Sequence, residues 1–205
     1  MNVAKTDFKK EIIKKIKNKI NCPLCSIITD YEFNLLAKIQ YDITYDENFR
    51  KQIASEGGFC DFHFKQFKKI ANAKTNMFLL LSIIESEVYM NIDFENHCRL
   101  CKSIDLLEKK LVKYTVDLFH DFEFQNIFEN SYGLCNVHIK TVLKEIKEDE
   151  LRDWIIKIHR EQIESLKSDL HSMSSVKSYF EISADKRKLI SFLIEKFAGR
   201  KSGAF

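Results

Sequence analysis

Six cysteines and two histidines carry the chemistry of this chain. Cys22-Pro-Leu-Cys25 is followed by Gly58-Phe-Cys60-Asp-Phe-His63, and Cys98-Arg-Leu-Cys101 by Gly133-Leu-Cys135-Asn-Val-His138. Each half of the chain therefore owns three thiols and one imidazole, the ligand set of a closed tetrahedral zinc site. A lone CxxC says little. Two CxxC pairs, each answered by CxxH and leaving no cysteine over, point to metal. The expected cofactors are two zinc ions, with an iron–sulfur cluster carrying one histidine ligand as the alternative. A thiol–disulfide role is disfavoured, because neither CxxC lies in a βαβ pattern.

The order of ligands leaves their grouping open. The simple assignment keeps each site within one half: Cys22, Cys25, Cys60 and His63, then Cys98, Cys101, Cys135 and His138. A swapped assignment, in which the CxxC of one half meets the CxxH of the other, is geometrically allowed. His97 adjoins Cys98 and competes as a ligand. His120, His159 and His171 have no counterpart in the other half and are expected at the surface or the core edge.

The elements that must position these ligands read as helices. One proline and five glycines in 205 residues argue against a turn-rich sheet. Ile28, Leu35, Leu36 and Ile39 recur at helical spacing after Cys25, as do Ile104, Leu107, Leu111 and Val116 after Cys101. Asp46 and Asp121 are expected as N-caps of short helices bearing Phe49 with Ile53, and Phe124 with Phe128. Gly58 and Gly133 are expected to end them. CxxH then opens a helix on which residues i and i+3 share a face. Longer helices close the halves, from about Thr75 to Asn91 and from about Asp149 to Met173.

This reading gives an all-α fold of tandem duplicated helical units, each organised by a Cys3His metal site and flanked by terminal amphipathic helices. Residues 1–21 form a basic amphipathic N-terminal helix with an apolar stripe of Phe8, Ile12, Ile16 and Ile20. Residues 22–97 and 98–173 are the two zinc-binding repeats. Residues 174–205 hold a linker and a helix with a stripe of Leu189, Ile190, Leu193 and Phe197. The linker is expected between His171 and Ala184. Cys25, Cys60, Cys101 and Cys135 are expected near helix N-termini, where positive potential favours thiolate. Lys65, Lys140 and Lys102 are candidates to offset site charge.

The CPLC…GFCxxH…CxLC…GLCxxH order resembles an uncharacterised prokaryotic family of about this length, over residues 8–200. The likeness rests on the eight ligands and on Gly58 and Gly133. It implies a helical, zinc-associated protein and transfers no activity. The second CxxC lacks proline, a departure from the pattern.

Function is less constrained. There is no Gly-rich phosphate loop, G-x-S-x-G or H-E-x-x-H, and two fully occupied metal sites leave no position for substrate. A non-enzymatic protein-interaction module is the leading reading, with a protein partner or a homodimer in view. A metal-dependent or iron–sulfur redox protein is a further alternative, as is an enzyme using Asp61 or Asp121 as a general base beside a labile metal. The net charge is +3, yet the first 21 residues carry +5 and the last 21 carry +4. Basic ends keep nucleic-acid binding open as the runner-up. The longest apolar run, around Met77–Leu81, is too short to span a membrane. A cytoplasmic location follows by default, and reduced thiols there suit metal binding.

Overall fold

A computed structural model describes residues 7–18, 21–86, 98–174 and 184–198. The described residues are helical, without strands. The helices are α1 (Phe8–Lys17), α2 (Pro23–Tyr45), α3 (Glu47–Ser55), α4 (Asp61–Ile70), α5 (Ala73–Ser86), α6 (Arg99–Leu118), α7 (Phe122–Glu129), α8 (Asn136–Glu145), α9 (Asp149–Ser174) and α10 (Ala184–Ala198). The all-α reading holds, and α2–α5 and α6–α9 follow one another in the same order.

Local signals account for the element boundaries. Asp46 accepts the Phe49 N–H at 3.0 Å and opens α3, while Asp121 accepts the Glu123 N–H at 2.8 Å and opens α7. After α3 the chain turns through Gly57 and Gly58 with φ of 77° and 80°, and the Gly58 N–H closes on the Ile53 carbonyl at 3.0 Å. Gly133 takes φ 70° after α7. These are left-handed conformations that cost glycine least. α9 runs to Ser174, so His171–Ser174, expected in the linker, continue that helix. Residues 87–91, expected to finish the helix from Thr75, lie outside the described residues, as do Ile20 and His97.

The chain divides into two compact units. One combines the chain up to Ile27 with the chain from Glu108 to Arg200; the other is Ile28–Leu107. Two helices, α2 and α6, have their N-terminal turns in one unit and the rest in the other.

In the first unit Phe119 is the hub of an aromatic cluster. Its ring meets Phe128 edge-on at 4.8 Å, Phe124 at 5.3 Å and Trp154 at 6.3 Å. Such edge-to-face pairs add to plain area burial. Ile12 and Ile16 of α1 are buried, as the apolar stripe requires. On α10 Leu193 is buried against Leu166 and Tyr132, but Phe197 is half exposed, so the expected C-terminal stripe is narrower than its sequence spacing implies. In the second unit Leu36, Ile39 and Ile43 of α2, Ile53 of α3, Phe67 of α4 and Leu79 of α5 share one core. Phe59 packs on Phe64 and Phe67 there, at 5.4 and 5.3 Å.

Candidate metal centres

The eight ligand residues gather into two groups, one in each compact unit. Cys22, Cys25, Cys135 and His138 form the first; Cys60, His63, Cys98 and Cys101 form the second. All eight side chains singled out in the sequence are thus brought together, but the within-half grouping is corrected. Each site takes its CxxC from one half and its CxxH from the other.

The cause lies in helix length. α2 starts at the cysteine pair and runs for 23 residues, about 34 Å at 1.5 Å per residue. The nine residues of α3 are too few to retrace it. The chain brings His63 back to Glu32, which follows Cys25 by seven residues in α2. α6 repeats the arrangement, with His138 returning to Glu108, seven residues beyond Cys101. The entropic penalty for the exchange is small. Cys25 and Cys135 are 110 residues apart, against 35 for Cys25 and Cys60. A logarithmic closure cost makes that difference about 1 kcal/mol.

The two centres have matching internal distances. In the first, His138 Nδ1 lies 3.4, 3.3 and 3.2 Å from the sulfurs of Cys22, Cys25 and Cys135, and the Cys25 and Cys135 sulfurs are 3.7 Å apart. In the second, His63 Nδ1 lies 3.4, 3.3 and 3.2 Å from Cys98, Cys101 and Cys60, and the Cys60 and Cys101 sulfurs are 3.6 Å apart. A tetrahedral ion with bonds of about 2.3 Å to sulfur and about 2.0–2.1 Å to nitrogen sets these edges near 3.8 and 3.5 Å. A disulfide needs about 2.05 Å between sulfurs, and all six cysteines are free thiols.

Local structure points the ligands inward. Cys22 and Cys98 immediately precede α2 and α6, and Cys25 and Cys101 lie in their first turns. Cys60 and Cys135 are the N-caps of α4 and α8, whose first turns hold His63 and His138. Each centre therefore faces two helix N-termini, whose positive ends favour thiolate. The Cys135 sulfur also accepts the His138 backbone N–H at 3.5 Å.

The sulfurs of a centre do not titrate alike: neighbouring thiols and burial push Cys25 and Cys101 up, whereas Cys98 and Cys135 are held down. Burial raises the Cys98 thiol, but the hydrogen bond from His63 and backbone N–H groups outweighs it and brings the pKa down to about 6. Burial opposes charge on the His138 ring. Contacts with Cys135, Cys22 and Glu108 nevertheless push it up to about 12.

Three residues near the centres were not singled out from the sequence as metal-site partners. Glu32 is wholly buried, with Oε1 3.3 Å from His63 Nε2. Glu108 Oε1 lies 3.2 Å from His138 Nε2. These acids are 76 residues apart, the offset of the CxxC pairs, so the signal was present in the repeat. The third is Lys196, counted in the basic tail. Its side chain is buried and donates to the carbonyls of Tyr132 and Leu134, beside Cys135, the latter at 3.2 Å. Lys65, by contrast, pairs with Asp61 at the surface, at 2.6 Å. His120 and His171 are exposed and His159 is half-buried.

No family model, curated protein or solved structure matches this chain. Among the described residues, no helix is long and apolar enough to cross a membrane.

Proposed function

We propose that this chain is a zinc-binding helical protein whose two Cys3His centres are structural, and that it works as a non-enzymatic protein-interaction module. The observation that carries the zinc reading is the convergence of three sulfurs and one ring nitrogen at single-ion spacing, twice. Thiolate and imidazole together suit zinc. An iron–sulfur cluster interposes several atoms between its ligands and would hold the sulfurs farther apart. Four protein ligands per ion leave no place for a reacting water, which supports a structural role over a catalytic one. The free thiols fit a reducing cytoplasm. The ligand order supports placing the chain with the prokaryotic family it resembles.

An apolar groove supports the interaction reading. It measures about 660 Å³, is lined by Phe64, Met77, Leu80, Leu81 and Ile84, and carries Lys65 and Lys68. Met77, Leu80, Leu81 and Ile84 are about half exposed. A helix with one apolar face and an acidic edge matches this surface.

Protein purified from reducing cytosol tests the metal reading. Two zinc ions per chain are expected; no zinc, or iron with inorganic sulfide, overturns it. For the groove, an acidic amphipathic helical peptide should perturb backbone resonances of α4 and α5 and lose that effect with Leu80→Glu. Unchanged resonances, or perturbation that survives the substitution, contradicts the groove.

A further inference from the structure

Each metal-facing histidine uses one nitrogen toward sulfur and offers the other to a carboxylate. His63 turns Nδ1 to three sulfurs and Nε2 to Glu32 at 3.3 Å, while His138 turns Nδ1 to three sulfurs and Nε2 to Glu108 at 3.2 Å. A ring that binds an ion through Nδ1 must carry its proton on Nε2, the nitrogen that each carboxylate faces. Carboxylates so placed fix the tautomer and ring orientation and raise the basicity of the ligating nitrogen.

We infer that Glu32 and Glu108 are positioning residues for the metal centres, each acting on the site to which its own helix does not supply cysteines. This rests on the zinc reading above. Glu32 shares α2 with Cys25, two turns earlier, yet it serves His63 in the centre of Cys60, Cys98 and Cys101. Glu108 shares α6 with Cys101, yet it serves His138 in the centre of Cys22, Cys25 and Cys135. A role in helix stability alone would act on the nearby cysteine pair or on both sites. A positioning role acts on one site, and it is the one remote in sequence.

Full-length single-site backgrounds separate these outcomes. Cys22→Ser leaves only the second centre able to hold an ion tightly, and Cys98→Ser leaves only the first. In the Cys22→Ser background, competition against a chelator should show Glu32→Ala weakening zinc about 10- to 100-fold. In the Cys98→Ser background the same substitution should change affinity by less than about twofold. Glu108→Ala should give the mirror result. Glu32→Gln preserves size and an acceptor oxygen, so it should fall between wild type and alanine, and it keeps the test available should the alanine variant not fold. In the zinc-loaded parent, long-range ¹⁵N spectra should place the His63 and His138 protons on Nε2. Equal weakening at both centres, loss confined to the centre sharing the mutated helix, or protons on Nδ1 would overturn the inference. A parent that binds no zinc would instead overturn the metal reading beneath it.

Discussion

The two centres have nearly the same distances and different access to solvent. In the first, Cys22, Cys25, Cys135 and His138 are all at most 5% exposed. In the second, His63 and Cys98 are buried, but Cys60 is partly exposed and Cys101 is exposed. The acids invert this order, since Glu32, at the open centre, is wholly buried while Glu108, at the closed centre, keeps 35% of its side chain in contact with solvent. The first centre also has Lys196 buried near it, where its amine feels the charge of Cys22 and Cys135 and would offset the excess negative charge of three thiolates around a divalent ion. The same ligand chemistry is thus set in two surroundings. The first has the burial of a structural clasp, and the second offers a route by which chelators and oxidants reach sulfur.

The largest expected effect follows from that difference. Removing both ions should unfold most of the helical signal, because structural zinc contributes about 10–16 kcal/mol of apparent binding energy to folding. The loss should be stepwise. A chelator should take the ion held by Cys101 first, with release of the other slower by at least about tenfold, followed by circular dichroism and a zinc-sensitive dye. A single phase for both ions would break the comparison.

A middling effect distinguishes the glycine turns that precede the CxxH segments. A Cβ at Gly133 would lie 2.1 Å from Oε1 of Gln162, whose amide is committed to the Phe128 carbonyl at 2.7 Å. At Gly58 it would meet the ring edge of Phe64 at 2.7 Å and the methyl end of Ile83 at 2.8 Å, both ends of side chains that can shift. Both positions have positive φ, so both alanines are strained. Denaturant titration of the zinc-loaded protein should give a loss of about 3 kcal/mol for Gly133→Ala and about 1–2 kcal/mol for Gly58→Ala. A reversed order would place the more rigid turn in the other unit.

The smallest effect concerns pH and the first unit alone. Burial holds the His159 pKa down at about 4, aided by the nearby Lys196 charge. The unfolded chain binds this proton more readily, so stability rises with pH between about 4 and 6.5 and is lost as pH falls through that window. His159→Gln should flatten the difference in melting temperature between pH 6.5 and 5 relative to wild type. An unchanged pH slope would show that His159 does not carry it.

Much of this was legible in the residues. Asp46 and Asp121 announced their helices because a cap is a local interaction, satisfied within three residues of the side chain. The ligand types were legible because three thiols and an imidazole have few other uses in a matched pattern. Their grouping was not. Cys25 to Cys60 and His63 to Cys98 are both 35 residues apart, so spacing treats within-half and exchanged pairing alike at that centre. The decision rests on how far α2 and α6 carry the chain before it turns back, a tertiary property. Lys196 was read as tail charge because nothing in residues 185–205 says that its amine meets carbonyls more than 60 residues earlier. Glu32 and Glu108 were overlooked among many acids, although their 76-residue offset marked them.

The exchange of ligands between halves is the central claim, and counting ions in paired variants tests it most directly. Native mass spectrometry of zinc-loaded Cys22→Ser/Cys135→Ser should find one ion, since both changes fall on one centre, and Cys22→Ser/Cys60→Ser should find none tightly held. One ion in the second protein and none in the first would mean that each half binds its own metal, contradicting the arrangement described here.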